Sequence, residues 1–329
     1  MRYMFVVVLI LTTIAAPRAL QADDAQQVFD AVYGPRVKQV SGTTDRGDDV
    51  ALAASLLAAA RTSTDTPALL ALMCEAAYDL GQRHADGYTT AADAMTLLAQ
   101  TVPDQRDAAR DKLAEILTKQ SRAGKVEERD PALNRLLETL MAIGHEKMDA
   151  RSYGDAAGAF RRVVTLAAPK KLPQGEDAKA RMDDAMRLDR VTKQVARLQE
   201  KLQANANDFA SAEEIVRLNV IELDDAAAAL AVLDRVQDER MKQLTPLAVK
   251  ALEELKAEEA LALGEWLRGF AVAAKPQDRE LWVRTEAYLS RFVEQNSEAG
   301  FNATKATVLL SEAAAKLKAT PPAPPPPPP

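Results

Sequence analysis

Alanine and leucine recur along this chain at every third or fourth position, in run after run separated by short polar breaks. That spacing matches the 3.6-residue turn of an α-helix with one buried face. Alternating runs rich in Val, Ile and Thr, which a half-buried strand needs, are nearly missing. Only 5% of residues are aromatic, so any core is assembled mostly from Ala and Leu, both good helix formers. The expected fold class is all-α.

Read at that period, helices are expected over about 23–33, 48–61, 67–82, 89–101, 104–121, 131–149, 153–167, 177–204, 208–221, 224–236, 245–273, 277–296 and 303–318. Gly34-Pro35 should stop the first, with a polar loop at Ser41–Gly47 after it. Pro67 suits the first turn of its helix, where a missing N–H costs nothing. Asp104 is placed to cap the 104–121 helix. Within 177–204, Leu188, Val191, Val195, Leu198 and Leu202 are spaced 3-4-3-4, a coiled-coil-like seam that covers few heptads. Packing of that seam on the helix's own domain is favoured over a dimer.

The two ends differ from the body. Met4–Ala16 is uncharged and apolar, follows Arg2, and ends at Pro17-Arg18. It is shorter than the about 20 apolar residues that span a bilayer, so it reads as a secretory signal peptide over 1–22, cut after Leu20-Gln21-Ala22. At the other end, Thr320–Pro329 contains six consecutive prolines, which cannot continue a helix. An extended, disordered polyproline tail is expected over 320–329. Between them the domains expected are a helical-repeat domain at 23–170, a long charged connecting helix at 171–204 and a second helical-repeat domain at 205–319.

Composition narrows the function. Cys74 is the only cysteine, so neither an internal disulfide nor a cysteine-rich metal site is available. It lies in an apolar run and reads as a small buried hydrophobe. The net charge of −6, with no basic stripe, argues against nucleic acid or an anionic membrane as partner. His84 and His145 are the only histidines and lack metal-ligand spacing. Phosphate-cradling glycine motifs and the G-x-S-x-G elbow are absent from the sequence. No catalytic residue, cofactor or metal is expected. The acidic pairs Asp48-Asp49, Asp183-Asp184, Glu213-Glu214, Asp224-Asp225, Glu253-Glu254 and Glu258-Glu259 read as solvated faces or helix starts, since adjacent helical positions point apart. Trp266 and Trp282 read as packing residues.

From Leu137 to about Lys170 the chain resembles a tetratricopeptide repeat, whose period is 34 residues. Gly144 falls where the first helix needs a small residue, and Tyr153, Ala156 and Phe160 follow at second-helix spacing. Leu140 stands at the family's tryptophan position, and Pro169 comes one residue late. A weaker copy reads Tyr78, Tyr88, Ala91, Met95 and Pro103, with Asp79 at the small-residue position; fragments recur at Leu263-Gly264 and Ala287-Tyr288. Taken whole, the stretches VFDAVYGPRV, DDVALAASLLAAA, EEIVRLNVIELDDAAAALAVLD and ALALGEWLRGFA are similar to exported helical-repeat proteins of planctomycete bacteria.

These resemblances imply an α-solenoid of helical hairpins in which each pair is completed by its neighbours. They imply a concave face lined by first helices, with Glu138, Met141, His145 and Met148 as candidate binding residues. Their spacing puts them on one helical face, though Met141 and Met148 also suit plain packing. The function expected is a non-enzymatic, exported scaffold or adaptor that binds a protein partner in the cell envelope. Two rivals are an envelope glycan-acting enzyme or its helical accessory domain, and a structural component assembling through the 177–204 helix and the proline tail.

Overall fold

The computed structural model describes residues 22–273, 279–296 and 300–320. The expected signal peptide and polyproline tail therefore lie outside the described residues, apart from Ala22 and Thr320 at their edges. Among the described residues all regular structure is helical, with no strand. No described helix is long and apolar enough to cross a membrane.

The first compact unit runs to Asp183 and the second begins at Asp184. In the first lie α1 (Ala22–Val32), α2 (Gly34–Ser41), α3 (Arg46–Arg61), α4 (Pro67–Gly81), α5 (Tyr88–Thr101), α6 (Arg106–Ala123), α7 (Val126–Asp149) and α8 (Tyr153–Ala167). From α3 to α8 each helix packs on the next in sequence, and α1 also packs on α4. Short connections leave successive helices no choice but to run antiparallel. Local chemistry sets the starts: the Asp45 carboxylate accepts from Gly47 N at 2.9 Å to begin α3, and Pro67 opens α4. Leu56, Leu70, Met95, Leu98, Ile116, Leu117, Leu136 and Phe160 are fully buried and form the spine of this core.

The helix α9 (Gln174–Ala204) is shared, because the division between units falls inside it rather than at its two ends. In the second unit α10 (Phe209–Arg217), α11 (Ala226–Ala229) and α12 (Glu239–Ala248) are short, and α13 (Ala257–Ala273), α14 (Arg279–Gln295) and α15 (Phe301–Ala319) pack in succession. The α9 seam is occupied within this unit: Val195 and Leu202 are buried in its core, with Val191 and Leu198 against it. Trp266 and Trp282 are buried there too.

Several expected boundaries differ. Gly34-Pro35 restarts a helix, α2, because the fixed φ of Pro35 is already helical and its missing N–H falls in the first turn. α7 begins at Val126, so Pro131 lies inside it; Glu127 and Glu128 complement the helix N-terminus, and Arg129 Nε donates to Gly124 O at 2.9 Å. Asp104 makes no cap: it sits in a 3-10 turn, Pro103–Gln105, ahead of α6. The single helix expected over 245–273 is two: Asp238 accepts from Arg240 N and Met241 N and starts α12 earlier, and after α12 ends at Ala248 a 3-10 turn, Leu252–Glu254, precedes α13. The 208–221 helix ends in a π turn, Leu218–Glu222, and 224–236 is α11 followed by a 3-10 segment.

Candidate functional site

α7 carries the four candidate binding residues, and its rotation is fixed from several sides. Arg135 donates to Asp93 at 3.0 Å and Thr96 at 2.6 Å on α5. Glu146 pairs with Arg110 of α6, and Lys147 with Asp107 at 2.9 Å. Gly144 lies against Phe160 of α8: a Cβ added there would stand 2.6 Å from the Phe160 Cζ. Real Cβ atoms do not approach carbon so closely, so only glycine fits without moving the ring. Tyr153 and Ala156 are buried on the same face of α8 as Phe160.

With α7 held this way, Glu138 is exposed, while Met141, His145 and Met148 are half-buried. His145 differs from the rest. Its ring lies 5.6 Å from that of Phe160, tilted by 57°, and its Nε2 is buried with no hydrogen-bond partner. Burial pushes its pKa below the ordinary value and the Arg181 guanidinium adds to that, against opposing pulls from Asp177 and Asp149. The imidazole is neutral at pH 7 and shut off along its Nε2 edge. It is a packing residue, and what this face leaves open to solvent is Glu138 with the edges of Met141 and Met148.

The register expected for the weaker copy is not the one found. Close approach there occurs at Gly81, where a Cβ would meet Gly87 O at 2.8 Å and Ala91 Cβ at 3.2 Å; Asp79 has no part in it. Tyr78, Ala91 and Met95 are buried. In the second unit Gly264 stands in the same relation to Leu289, 2.9 Å from its Cδ2.

Several titratable groups elsewhere are engaged in structure. Asp49, expected on a solvated face or at a helix start, lies in the first turn of α3 but is buried, and accepts from Arg83 at 2.9 Å and Arg46 at 3.3 Å. The sequence signal was Arg83 itself, an arginine in a helix connection far along the chain, which spacing alone cannot pair. Glu213 accepts from the Gln237 and Asp238 amides, both at 3.1 Å, and Asp225 caps α11. Asp224 pairs with Arg284 at 3.0 Å, and Arg284 also donates to Val220 O in the middle of the π turn. Cys74 is buried, and desolvation, then the Glu75 charge, push its thiol up to about 12, so it is no nucleophile at neutral pH. Burial, then Glu115, raises Tyr78 likewise to about 12.

A shallow cleft of about 350 Å³ lies between α1 and α4, lined by Asp23, Gln26, Ala68, Ala71, Leu72, Glu75 and Gln105. The Glu75 carboxylate there is already paired with Lys112. Among the described residues no three His, Cys, Asp or Glu side chains stand together as a metal-ligand set. No family model matches the chain, and no curated protein or solved structure matches it either.

Proposed function

We propose that this protein is an exported, non-enzymatic helical-repeat scaffold that holds a protein partner on a surface including Glu138, Met141 and Met148 of α7. The same reading makes the first unit a tetratricopeptide-like solenoid of the kind found among exported planctomycete helical-repeat proteins. Arg2 and Met4–Ala16 supply the export signal.

One observation carries the reading. Polar side chains tie the first unit together at roughly one repeat length: Arg83 to Asp49, Lys112 to Glu75 and Arg135 to Asp93 are 34, 37 and 42 residues apart. Lys112 and Arg135 each bridge to the helix two before their own, skipping the one between. Such ties recur when one helix pair is laid on the next, and such a stack offers an extended surface for another protein. The acidic pairs that would serve a glycan-cleaving enzyme are largely spent in caps and ion pairs, and no observation favours that rival.

Affinity capture from an envelope extract tests the proposal. The mature chain should retain a discrete protein that a Glu138→Lys/Met141→Ala/Met148→Ala variant loses, with the far-UV helical signal of the two unchanged. Equal capture by both would remove this face from the account.

A further inference from the structure

α15 packs through one face only. Ala306 and Ala313 are buried, and Leu309, Leu310 and Leu317 lie half-buried against the core of the second unit. Its other face carries Phe301, Thr304, Val308, Ser311 and Ala315, all exposed. Their 3-4-3-4 spacing makes one continuous stripe. Phe301 is 83% exposed and Val308 62%. In a chain with 27% charged residues, an outward stripe of five without a charge is the reverse of the usual solvent face.

The stripe is complementary to itself. Val308 lies midway between Phe301 and Ala315. A second α15 laid antiparallel about a two-fold axis at Val308 would therefore set each Phe301 over the small Ala315 of the other copy. Thr304 would meet Ser311, and the two Val308 side chains would touch at the axis. The flanks agree in charge. Lys305 and Glu312 lie on one side of the stripe, paired within their own chain to Glu265 at 2.5 Å and Arg268 at 2.7 Å of α13. The antiparallel arrangement brings Lys305 of each copy beside Glu312 of the other, so two attractive pairs form along that side of the stripe. Val272, on the same face of α13 as Glu265 and Arg268, is 56% exposed and widens the apolar surface.

We propose that α15 is a self-association surface through which two copies of this chain pair antiparallel, with Val308 on the two-fold axis. One helix face is smaller than the about 800 Å² per partner of a standard interface, so the dimer is reversible.

Sedimentation equilibrium of the chain from Asp23 to Pro329, up to about 500 µM, tests this. Wild type should pass from monomer to dimer as concentration rises. Val308→Glu places two like charges at the axis and should weaken association by about tenfold or more, with the thermal midpoint unchanged. In a Cys74→Ala background, Val308→Cys should give a disulfide-linked dimer on mild oxidation, whereas Thr307→Cys, exposed but off the stripe, should not. A wild type that stays monomeric throughout, or a Val308→Glu variant that associates like wild type, would overturn the proposal. So would dimerisation that begins only once Pro321–Pro329 is deleted, which would make that segment the occupant of the stripe.

Discussion

At the scale of single residues, contacts in the first unit are specified to a fraction of an ångström. Gly144→Ala places a Cβ inside the van der Waals surface of Phe160 and should cost about 1–3 kcal/mol. Phe160→Ala opens a cavity in the same place and should cost about 3–5 kcal/mol; urea melts read both. Gly144 was legible in advance because the repeat pattern reserves a small residue there. Asp49 was not: a carboxylate at a helix start looks the same whether water or Arg83 surrounds it. Arg83→Met leaves that buried carboxylate with Arg46 alone, at 3.3 Å, and should cost about 1–3 kcal/mol, part of which returns when Asp49→Leu is added. His145 adds a pH dependence. Its folded pKa lies below the ordinary 6.5, so the unfolded chain takes up the proton first as pH falls. The contribution is full above about pH 6.5 and is lost as pH drops through the folded value. Between pH 7.5 and 5 the thermal midpoint of wild type should therefore fall further than that of His145→Phe. Equal falls would mean that the imidazole is not held neutral by the fold.

At the scale of helices, apolar periodicity gave most of the elements, and local capping chemistry decided where reading it failed. Pro35 and Pro131 illustrate the difficulty: the same residue stops a helix in mid-run and is tolerated near its beginning, so its meaning depends on where the N-terminus falls. Asp238 made the difference for α12, because two amides converge on its carboxylate. The face that a long amphipathic helix buries is equally ambiguous from sequence. The α9 seam has the spacing of a coiled coil, yet Val195 and Leu202 are packed inside the second unit. Leu202→Asp should therefore behave as a core lesion, lowering the denaturation midpoint by more than about 3 kcal/mol equivalent without altering the association state of the folded fraction. A stable variant with changed association would return the seam to the surface. α15 is the converse case, since its seam-like stripe is exposed.

For the whole molecule, the all-helical architecture was written in the Ala/Leu pattern, whereas the proposed binding surface rests on analogy with repeats alone. The reason is physical: core positions announce themselves by period, but a surface residue such as Glu138 has no signature until its helix is fixed in rotation. Arg135, Glu146 and Lys147 fix that rotation through partners on α5 and α6. Export is the other whole-chain consequence of the proposal, and N-terminal sequencing of protein secreted by a bacterial host should return Asp23 or a close neighbour. The scaffold account is tested most directly by site-specific photo-cross-linking in the intact envelope. A photoreactive residue at position 138 should capture one discrete protein, and the same residue at exposed Thr165 on α8 should not. Capture at 165 with none at 138, or none at either position, would contradict the claim that α7 presents the partner surface.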